Sequence, residues 1–537
     1  MAKIKEAHEY EEYKPSDPAG ILAKTFIRSP LTVVLGVFFI AIGYISLMVM
    51  PREENPQMVI SGSAVIVALP GATAEEVLQV IVKPLERKLK EVKGVQHLRG
   101  MAMDNVGIVN ASFFIGETKA DSNLKIYDKI MQNNSMFPKG AMNPLVKPLD
   151  IDIDIPIVTV AFYSNDPNTD QTALYNSVKE IQYHINSLNN VAVTNIKGGH
   201  KTQFNVEVDV NKLAGYNLSL GQIVKSIESL AYNVPSVKNT TKDNQIAIVS
   251  VKNAIDTEKD IGQIIVASYR GSPIYLAQVA KVVKSYDIQN FKSSYITIQR
   301  RDGGFSEQKR QVTLTVSKLQ GTNAVNISDS VEEELELYKD YLSQKGINYV
   351  ITRNDGSRAD EAVNELVFHL VLSIIIIAVL LIFVLGWKES VIVTVTVPMI
   401  LAITLFVAYL GGQTINRITL FAFLLSLGLL VDGAIIVIEN IHRHYHNIES
   451  RYEPVDDLMV RATDEIGPAT NVATLAIIMT MVPMAFVGQM MGQFMKPIPQ
   501  NVPVALVASL FVAYIFTPYL AVRMLDRPDF DKEGGHH

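Results

Sequence analysis

Long apolar runs near the N-terminus and in the last third dominate the hydropathy pattern of this chain. A spanning helix needs roughly 20 mainly apolar residues, and the first such run covers Leu31–Met50. About 310 residues without another run follow. Five further runs then lie at Leu366–Leu385, Val391–Leu410, Leu420–Ile441, Ala473–Val487 with its flanks, and Val504–Leu525. The pattern predicts six membrane helices, with one large segment between the first and the second.

The first run could also be read as a cleaved signal peptide. About 30 mostly polar residues precede it, and Pro51-Arg52-Glu53-Glu54 follows where a small-residue cleavage site would stand. We therefore interpret it as an uncleaved helix that follows a cytoplasmic segment, residues 1–30.

Loop charges predict the orientation of these helices. With the N-terminus inside, the inner loops Gly386–Ser390 and His442–Gly467 and the tail hold most of the loop Lys and Arg residues. The outer turns Gly411–Asn416 and Gln489–Asn501 hold only Lys496. The positive-inside rule is satisfied, so the large segment is expected outside the cytoplasm. A membrane-impermeant thiol reagent would then label a cysteine at Ser122 but not one at Ser450.

The large segment alternates between strand-like and helix-like stretches. Ser63–Leu69 is β-branched and short, and Thr73 with Glu76 forms a capping-box pattern before an apolar helical period. Strand, helix and strand recur along residues 51–145, which predicts a split βαβ unit. A similar unit is predicted at 146–196 and 286–360, interrupted by a mixed domain at 197–285.

Composition narrows the functional classes. The chain has 48% hydrophobic residues, a mean hydropathy of +0.19 and a net charge of −6, with no long basic block that would indicate a nucleic-acid partner. It has no cysteine, which excludes disulfides and thiol chemistry. The sequence contains no nucleophile-elbow or phosphate-loop motif of the kind that would indicate an enzyme. We expect no cofactor and no metal. His536 and His537 are interpreted as a tag remnant within the tail, 527–537.

Four stretches resemble a known family, in the family's own order. VIVALPGATAEEVLQVIVKPLERKLKEVKGV (65–95) resembles the first porter repeat of resistance-nodulation-division (RND) transporters, and Gly271–Ala280 resembles the end of their docking domain. LFAFLLSLGLLVDGAIIVIENIHRHY (420–445) and VASLFVAYIFTPYLAVRML (507–525) resemble their fourth and sixth membrane helices. Porter subdomains at 51–145 and at 146–196 with 286–360, a docking domain at 197–285 and a helical domain at 361–526 are therefore expected.

The resemblance implies a proton-driven, trimer-like exporter of the inner membrane. The fold class is an α-helical membrane protein with an α+β extracytoplasmic domain. The porter subdomains would take substrate from the periplasm or the lipid, and the docking domain would meet a periplasmic adaptor and an outer-membrane channel. The family normally has twelve spans, whereas six are present here, so a second half is expected in trans. Pro235–Asn244 also looks short for the arm that interlocks protomers.

Asp432 is the strongest candidate for a proton relay. It lies about midway along an apolar helix, where an ionised carboxylate costs about 2.5–3.5 kcal/mol on insertion scales. The family often has two adjacent acids here, whereas this chain has Asp432 followed by Gly433. A single acid at the first position resembles the metal-efflux branch in that respect. The alternative is a protonated carboxyl that serves helix packing.

Other residues are weaker candidates for a functional role. Glu439, two turns after Asp432, could serve an exit path or sit at a solvated helix end. Gly428 and Gly433 would let a partner side chain approach Asp432. His369 is interpreted as an interfacial residue, and the methionines near the fifth span as apolar filler rather than thioether metal ligands: Met484, Met490, Met491 and Met495.

Two functions remain open from the sequence. One is a proton-coupled export subunit that works with a second half. The other is a scaffold or assembly protein that kept the fold and lost transport. Asp432 favours the first, and the six-span length favours the second.

Overall fold

We describe the protein from a computed structural model. It describes residues 12–59, 61–114, 116–229, 237–240, 246–249, 257–269, 271–287, 292–447, 450 and 452–527. The first element is a short helix, α1 (Pro18–Phe26), whose N-cap Asp17 accepts a hydrogen bond from the Ala19 amide at 2.9 Å. The first spanning helix, α2 (Leu31–Val49), follows. The sequence did not predict α1, because its buried face consists only of Ala19, Gly20 and Ala23.

The first α/β unit starts after a short linker. Its elements are β1 (Gly62–Ala68), α3 (Ala74–Val77), a π-helical turn (Leu78–Val82), α4 (Lys83–Lys90), β2 (Val95–Met103), β3 (Val106–Phe113), α5 (Lys119–Gln132), β4 (Leu145–Pro148) and α6 (Ile151–Asp154). The predicted capping box is confirmed, since Thr73 and Glu76 satisfy each other's amides at the start of α3. The antiparallel sheet has the order β2-β3-β1-β4, which is that of a split βαβ unit.

A second α/β unit encloses a third. The second begins with β5 (Val158–Ser164), α7 (Gln171–Asn186) and β6 (Val191–Lys197). The third consists of β7 (Thr202–Val208), α8 (Val210–Gly215), α9 (Leu220–Glu228), β8 (Val237–Thr240), β9 (Ile246–Val249), α10 (Glu258–Gly262), β10 (Ile265–Tyr269), β11 (Ser272–Tyr275), α11 (Leu276–Val279) and β12 (Ala280–Tyr286). The second resumes with β13 (Ser294–Ile296), β14 (Lys309–Lys318), α12 (Ala324–Leu337), α13 (Lys339–Gln344) and β15 (Ile347–Asn354).

The second unit repeats the strand order of the first. Its antiparallel sheet runs β14-β5-β15, and β6 and β13 both pair with the free edge of β14. The third unit is therefore inserted where the first unit has only the β2–β3 hairpin. Of the predicted short arm at Pro235–Asn244, only β8 lies within the described residues.

Six helices of the described chain are long and apolar enough to cross a membrane. After α2 these are α14 (Asp355–Val384), α15 (Trp387–Leu410), α16 (Arg417–Tyr445), α17 (Val455–Ala485) and α19 (Pro497–Met524), with the short α18 (Gln489–Met495) before the last. Each of the six predicted runs matches one of these helices and extends at most two residues beyond its C-terminal end. Helix α14 follows β15 without a loop, so the second unit connects directly to a span.

Two predicted loops are shorter than expected. The first turns of α17 include Asp456, Asp457, Arg461 and Asp464. Because these turns are polar, the hydropathy pattern did not identify them as part of the helix. The predicted outer turn Gln489–Asn501 is also largely helical, because it holds α18 and the start of α19. The inner loop is therefore confined to residues 446–454.

Helix α16 packs against several of the other spans. Its Leu427, Val431 and Ala434 belong to an apolar cluster with residues of α15, α17 and α19. A second cluster on the side nearer the α/β units includes Ala422 and Leu430 together with α19. Packing on several sides fixes the rotation of α16, and therefore the direction in which each of its side chains points.

Candidate functional site

One narrow face of α16 is left uncovered by the described chain. Phe421, Leu425 and Ile436 are 47%, 44% and 41% exposed, although neighbouring residues of the helix are buried. Gly428, Asp432 and Glu439 are exposed on the same face. We call these six positions the accessible stripe. Their spacings of three and four residues place them in one line along the helix.

Asp432 occupies the middle of the accessible stripe. It is 15 residues after Arg417, where α16 begins, or about 22 Å at a rise of about 1.5 Å per residue. Within the described residues, no hydrogen bond or ion pair to its carboxylate is found. Lipid is an unfavourable neighbour for a carboxylate at this depth. The geometry therefore fits a protein surface from outside the described chain that faces Asp432.

The two glycines beside Asp432 have different surroundings. A Cβ at Gly428 would meet no atom within 4 Å, so no described neighbour requires a glycine there. A Cβ at Gly433 would lie 3.8 Å from that of Ala513, an ordinary contact with α19. Gly428 thus leaves room on the accessible stripe, whereas Gly433 lies against the buried side of the helix.

Glu439 ends the accessible stripe near a group of ion pairs at the C-terminal end of α16. It has no hydrogen-bond or ion-pair partner among the described residues. Around it, His442 Nδ1 lies 3.0 Å from Glu389 Oε1, and His444 Nε2 lies 2.6 Å from Glu465 Oε2. These contacts join the ends of α15, α16 and α17. They hold this end of α16 in place, and they could not be predicted from residue spacing because the partners lie on different helices.

The opposite end of α16 is tied to the α/β units through the linker after α2. Arg417 binds Glu54 at 2.8 Å, and the Glu53 amide donates to the Ile415 carbonyl at 3.0 Å. Glu53 in turn pairs with Lys318 at 3.0 Å, and each side chain is only 4% exposed. A continuous set of polar contacts thus runs from the helix that carries Asp432 to β14 of the second unit.

Further charges reinforce this junction. Lys318 also lies 3.4 Å from Asp152 on α6 of the first unit, and Arg52 binds Asp360 of α14 at 2.8 Å. We call Arg52, Glu53, Glu54, Asp152, Lys318, Asp360 and Arg417 the junction cluster. Burial raises the pKa of Glu53, and Lys318 opposes that effect. The junction cluster joins both α/β units to three spans.

A partly buried network of polar side chains lies at the end of the spans away from the α/β units. The Tyr514 hydroxyl donates to Asn471 Oδ1 at 2.9 Å, and Asn471 donates to Asp17 Oδ1 at 3.2 Å. The Asp17 amide and the Tyr13 hydroxyl both donate to the buried Asp464 carboxylate at 2.8 Å. The N-terminal segment is therefore bound to α17 and, through Asn471, to α19. Asp464 lies within the predicted loop His442–Gly467, so this arrangement was not predicted.

The remaining predicted residues lie apart from Asp432. His369 is 3.6 Å from Glu365 on α14. Met484 and Met495 pack against the apolar cluster of the spans, and Met490 and Met491 are exposed on α18. The described residues hold no group of three His, Cys, Asp or Glu side chains placed to bind a metal ion.

The model of a family described as AcrB/AcrD/AcrF matches residues 22–536, which covers the spans and all three α/β units.

Proposed function

The chain belongs to the AcrB/AcrD/AcrF family of RND transporters, and on that premise we propose that it exports small molecules from the periplasm or the inner membrane, driven by protons that Asp432 carries. The family consists of inner-membrane exporters, not enzymes. It generally forms trimers that work with an adaptor protein and an outer-membrane channel. These partners are part of the proposal for this chain.

The position of Asp432 carries the proposal. It is the only Asp, Glu, Lys or Arg residue between Arg417 and Glu439 on α16, and it lies on the accessible stripe. An ionisable side chain inside the membrane marks proton or ion pathways far more often than it serves packing. A carboxyl that served packing within this chain would be bonded to it, and Asp432 has no such bond among the described residues.

Proton transport also requires that Asp432 release its proton in each cycle. A nearby cation favours the charged form of a carboxylate, so a cation that approaches and withdraws would drive binding and release. The described spans present no such group to Asp432. We propose that it comes from a second six-span unit in trans, another chain or another copy of this one, docked on the accessible stripe.

Asp432→Asn tests the relay. The amide keeps the shape of the side chain and removes the titrating group, so the variant should assemble normally and lose proton-dependent export. Glu439→Gln, on the same stripe but at the cytoplasmic end, is the matched control and should retain export. Dye efflux from proteoliposomes under an imposed pH gradient measures both. Export by the Asn variant at the parental rate would falsify the relay.

The mass of the purified complex tests whether a second unit is bound to the chain. If a second unit docks on the accessible stripe, a cysteine at Leu425 should cross-link to that unit and the complex should exceed the mass of one chain. Export by an isolated six-span unit would contradict the proposed second unit but not the proposed role of Asp432 as a proton relay. The two parts of the proposal can therefore be rejected independently.

The α/β units are assigned by their place in the chain. We propose that 51–145 and 146–196 with 286–360 are porter subdomains, and that substrate binds between them, because clefts between subdomains are common ligand sites. The unit at 197–285 would then dock on the adaptor or channel. A ligand-bound density map with substrate only in that third unit would contradict the assignment.

A further inference from the structure

A pocket lies where the first α/β unit meets the membrane domain. Its volume is about 480 Å³, within the range of ligand sites, about 300–1,000 Å³. One wall is the open face of β2 and β3, and the other is the short helix α18 between the last two spans. We call it the rim pocket, because it lies at the end of the spans that carries the α/β units.

The two walls of the rim pocket are fixed to each other. The Gln493 side chain of α18 accepts from the Val59 amide and donates to the Val59 carbonyl, both at 2.7 Å. Val59 belongs to the segment that leads into β1. Gly492 allows the tight turn before this contact, because a Cβ there would lie 1.8 Å from the Val487 carbonyl oxygen. The pocket is therefore a built feature rather than a gap between loosely placed parts.

The sheet wall presents hydrogen-bond donors and a positive charge. Strand pairing sets Arg99 beside Asn110 and His97 beside Ser112 on one face of the sheet. The opposite face of β2 contributes Leu98 and Ala102 to the apolar core of the unit. No Asp or Glu lines the pocket, and Arg99 has no ion pair within the described residues. This wall is suited to an anion, because a guanidinium can hold a carboxylate or phosphate through two hydrogen bonds.

The helix wall presents an apolar surface at the membrane boundary. Met490 and Met491 of α18 are exposed there, and the exposed Phe114, which follows β3, also lines the pocket. Methionine adapts to apolar chains of different shape because its side chain is unbranched and polarisable. An anion-binding wall and a soft apolar wall at this level match a molecule with an anionic head and an acyl tail.

We propose that the rim pocket binds an anionic amphiphile, with its phosphate or carboxylate on Arg99 and its tail over Met490 and Met491. A bilayer phospholipid and a free single-chain amphiphile share this chemistry. The site is separate from Asp432 and needs no proton gradient, so it goes beyond the proposed export cycle and can be tested at equilibrium.

Because the sequence contains no cysteine, a single reporter can be placed in the chain. Gln96→Cys carries an environment-sensitive dye at the pocket, and Met103→Cys, exposed on the same strand outside it, is the matched control. In maltoside micelles, dodecyl phosphate should shift the emission of the dye at position 96 saturably, and the dye at 103 should not respond. Dodecyltrimethylammonium should produce no saturable shift at either position.

Arg99→Gln in the position-96 background should weaken dodecyl phosphate binding about tenfold or more, since a hydrogen bond to a charged group is worth about that factor. Arg87→Gln, in the same unit but outside the pocket, should leave it unchanged. Stronger binding of didecanoyl phosphatidylglycerol would identify a lipid site, and stronger binding of dodecyl phosphate a site for single-chain amphiphiles.

Three results would overturn the inference: an equal response to the cationic amphiphile, equally tight binding of inorganic phosphate, or unchanged affinity after Arg99→Gln. Asp432→Asn should leave the binding curve as it is, so loss of export in that variant and loss of binding at the rim pocket report on different sites.

Discussion

At the scale of single residues, a buried ion pair stabilises the junction between the membrane domain and the second α/β unit. Lys318 and Glu53 come from positions 265 residues apart and are almost completely buried. No sequence spacing brings such a pair together, so the sequence analysis could not find it. Asp432 was found because it is an acid within one apolar run, and that signal is local.

Lys318→Met tests this pair. Loss of one partner of a buried ion pair costs about 3–5 kcal/mol of stability, because the other charge stays buried and unpaired. Lys339→Met, which removes an exposed pair with Glu336, is the matched control and should cost far less stability, because water screens an exposed pair. Thermal unfolding of the solubilised protein measures both losses.

The pH dependence of this loss has a defined sign. Burial raises the pKa of Glu53, and without Lys318 the pKa should rise further. A group with a raised folded pKa contributes stability that is present at low pH and is lost as pH rises through that pKa. The defect of Lys318→Met should therefore be largest at alkaline pH and shrink on acidification. Adding Glu53→Gln should recover stability at alkaline pH; a double variant as unstable as the single one would argue against an unpaired Glu53.

At the scale of elements, the six spans were predictable and the polar ends of the helices were not. Apolar runs identify membrane segments because lipid imposes that composition. The start of α17 is polar and is covered instead by the N-terminal segment, through contacts of Asp464 with Tyr13 and Asp17. Long-range contacts of this kind decide where such helices begin, and the helix pattern alone does not contain them.

Substitutions at two glycines on different spans can distinguish packing within the chain from packing against a partner. A Cβ at Gly43 of α2 would lie 2.3 Å from the Cβ of Ala402 on α15, whereas one at Gly428 would meet open space. Gly43→Val should therefore lower the melting temperature of the solubilised chain, since overpacking costs about 1–3 kcal/mol. Gly428→Val should leave that temperature unchanged and lose both export and the larger complex. Parental export by Gly428→Val would show that no partner approaches the accessible stripe there.

At the scale of the whole molecule, the junction cluster connects the proposed relay with the proposed substrate-binding units. Arg417 begins the helix that carries Asp432, and it reaches Lys318 of β14 through Glu54 and Glu53 of one short linker. Asp360 of α14 joins the same linker through Arg52. A movement of α16 would therefore be passed to β14 through short, partly buried contacts, and this is a route by which proton binding could change the α/β units.

The orientation of the molecule in the membrane can be tested by thiol labelling. The exposure of each side chain in the structure decides which positions are suitable. Ser122 and Ser450 are 0% and 4% exposed, so neither is a suitable labelling site. Tyr183 on α7 is 77% exposed and Tyr452, in the loop between α16 and α17, is 65% exposed. Cysteines at these two positions would be the only thiols in the chain.

An impermeant maleimide should label Tyr183→Cys in intact spheroplasts, because loop charges place the α/β units outside. It should label Tyr452→Cys only after the membrane is opened, and labelling of both after lysis is the control for access. Arg461 and Arg527, which pack around Glu453 next to position 452, belong to the basic side that the rule places in the cytoplasm. Labelling at 452 in intact spheroplasts would reverse the orientation, and the junction cluster and the rim pocket would then lie on the cytoplasmic side.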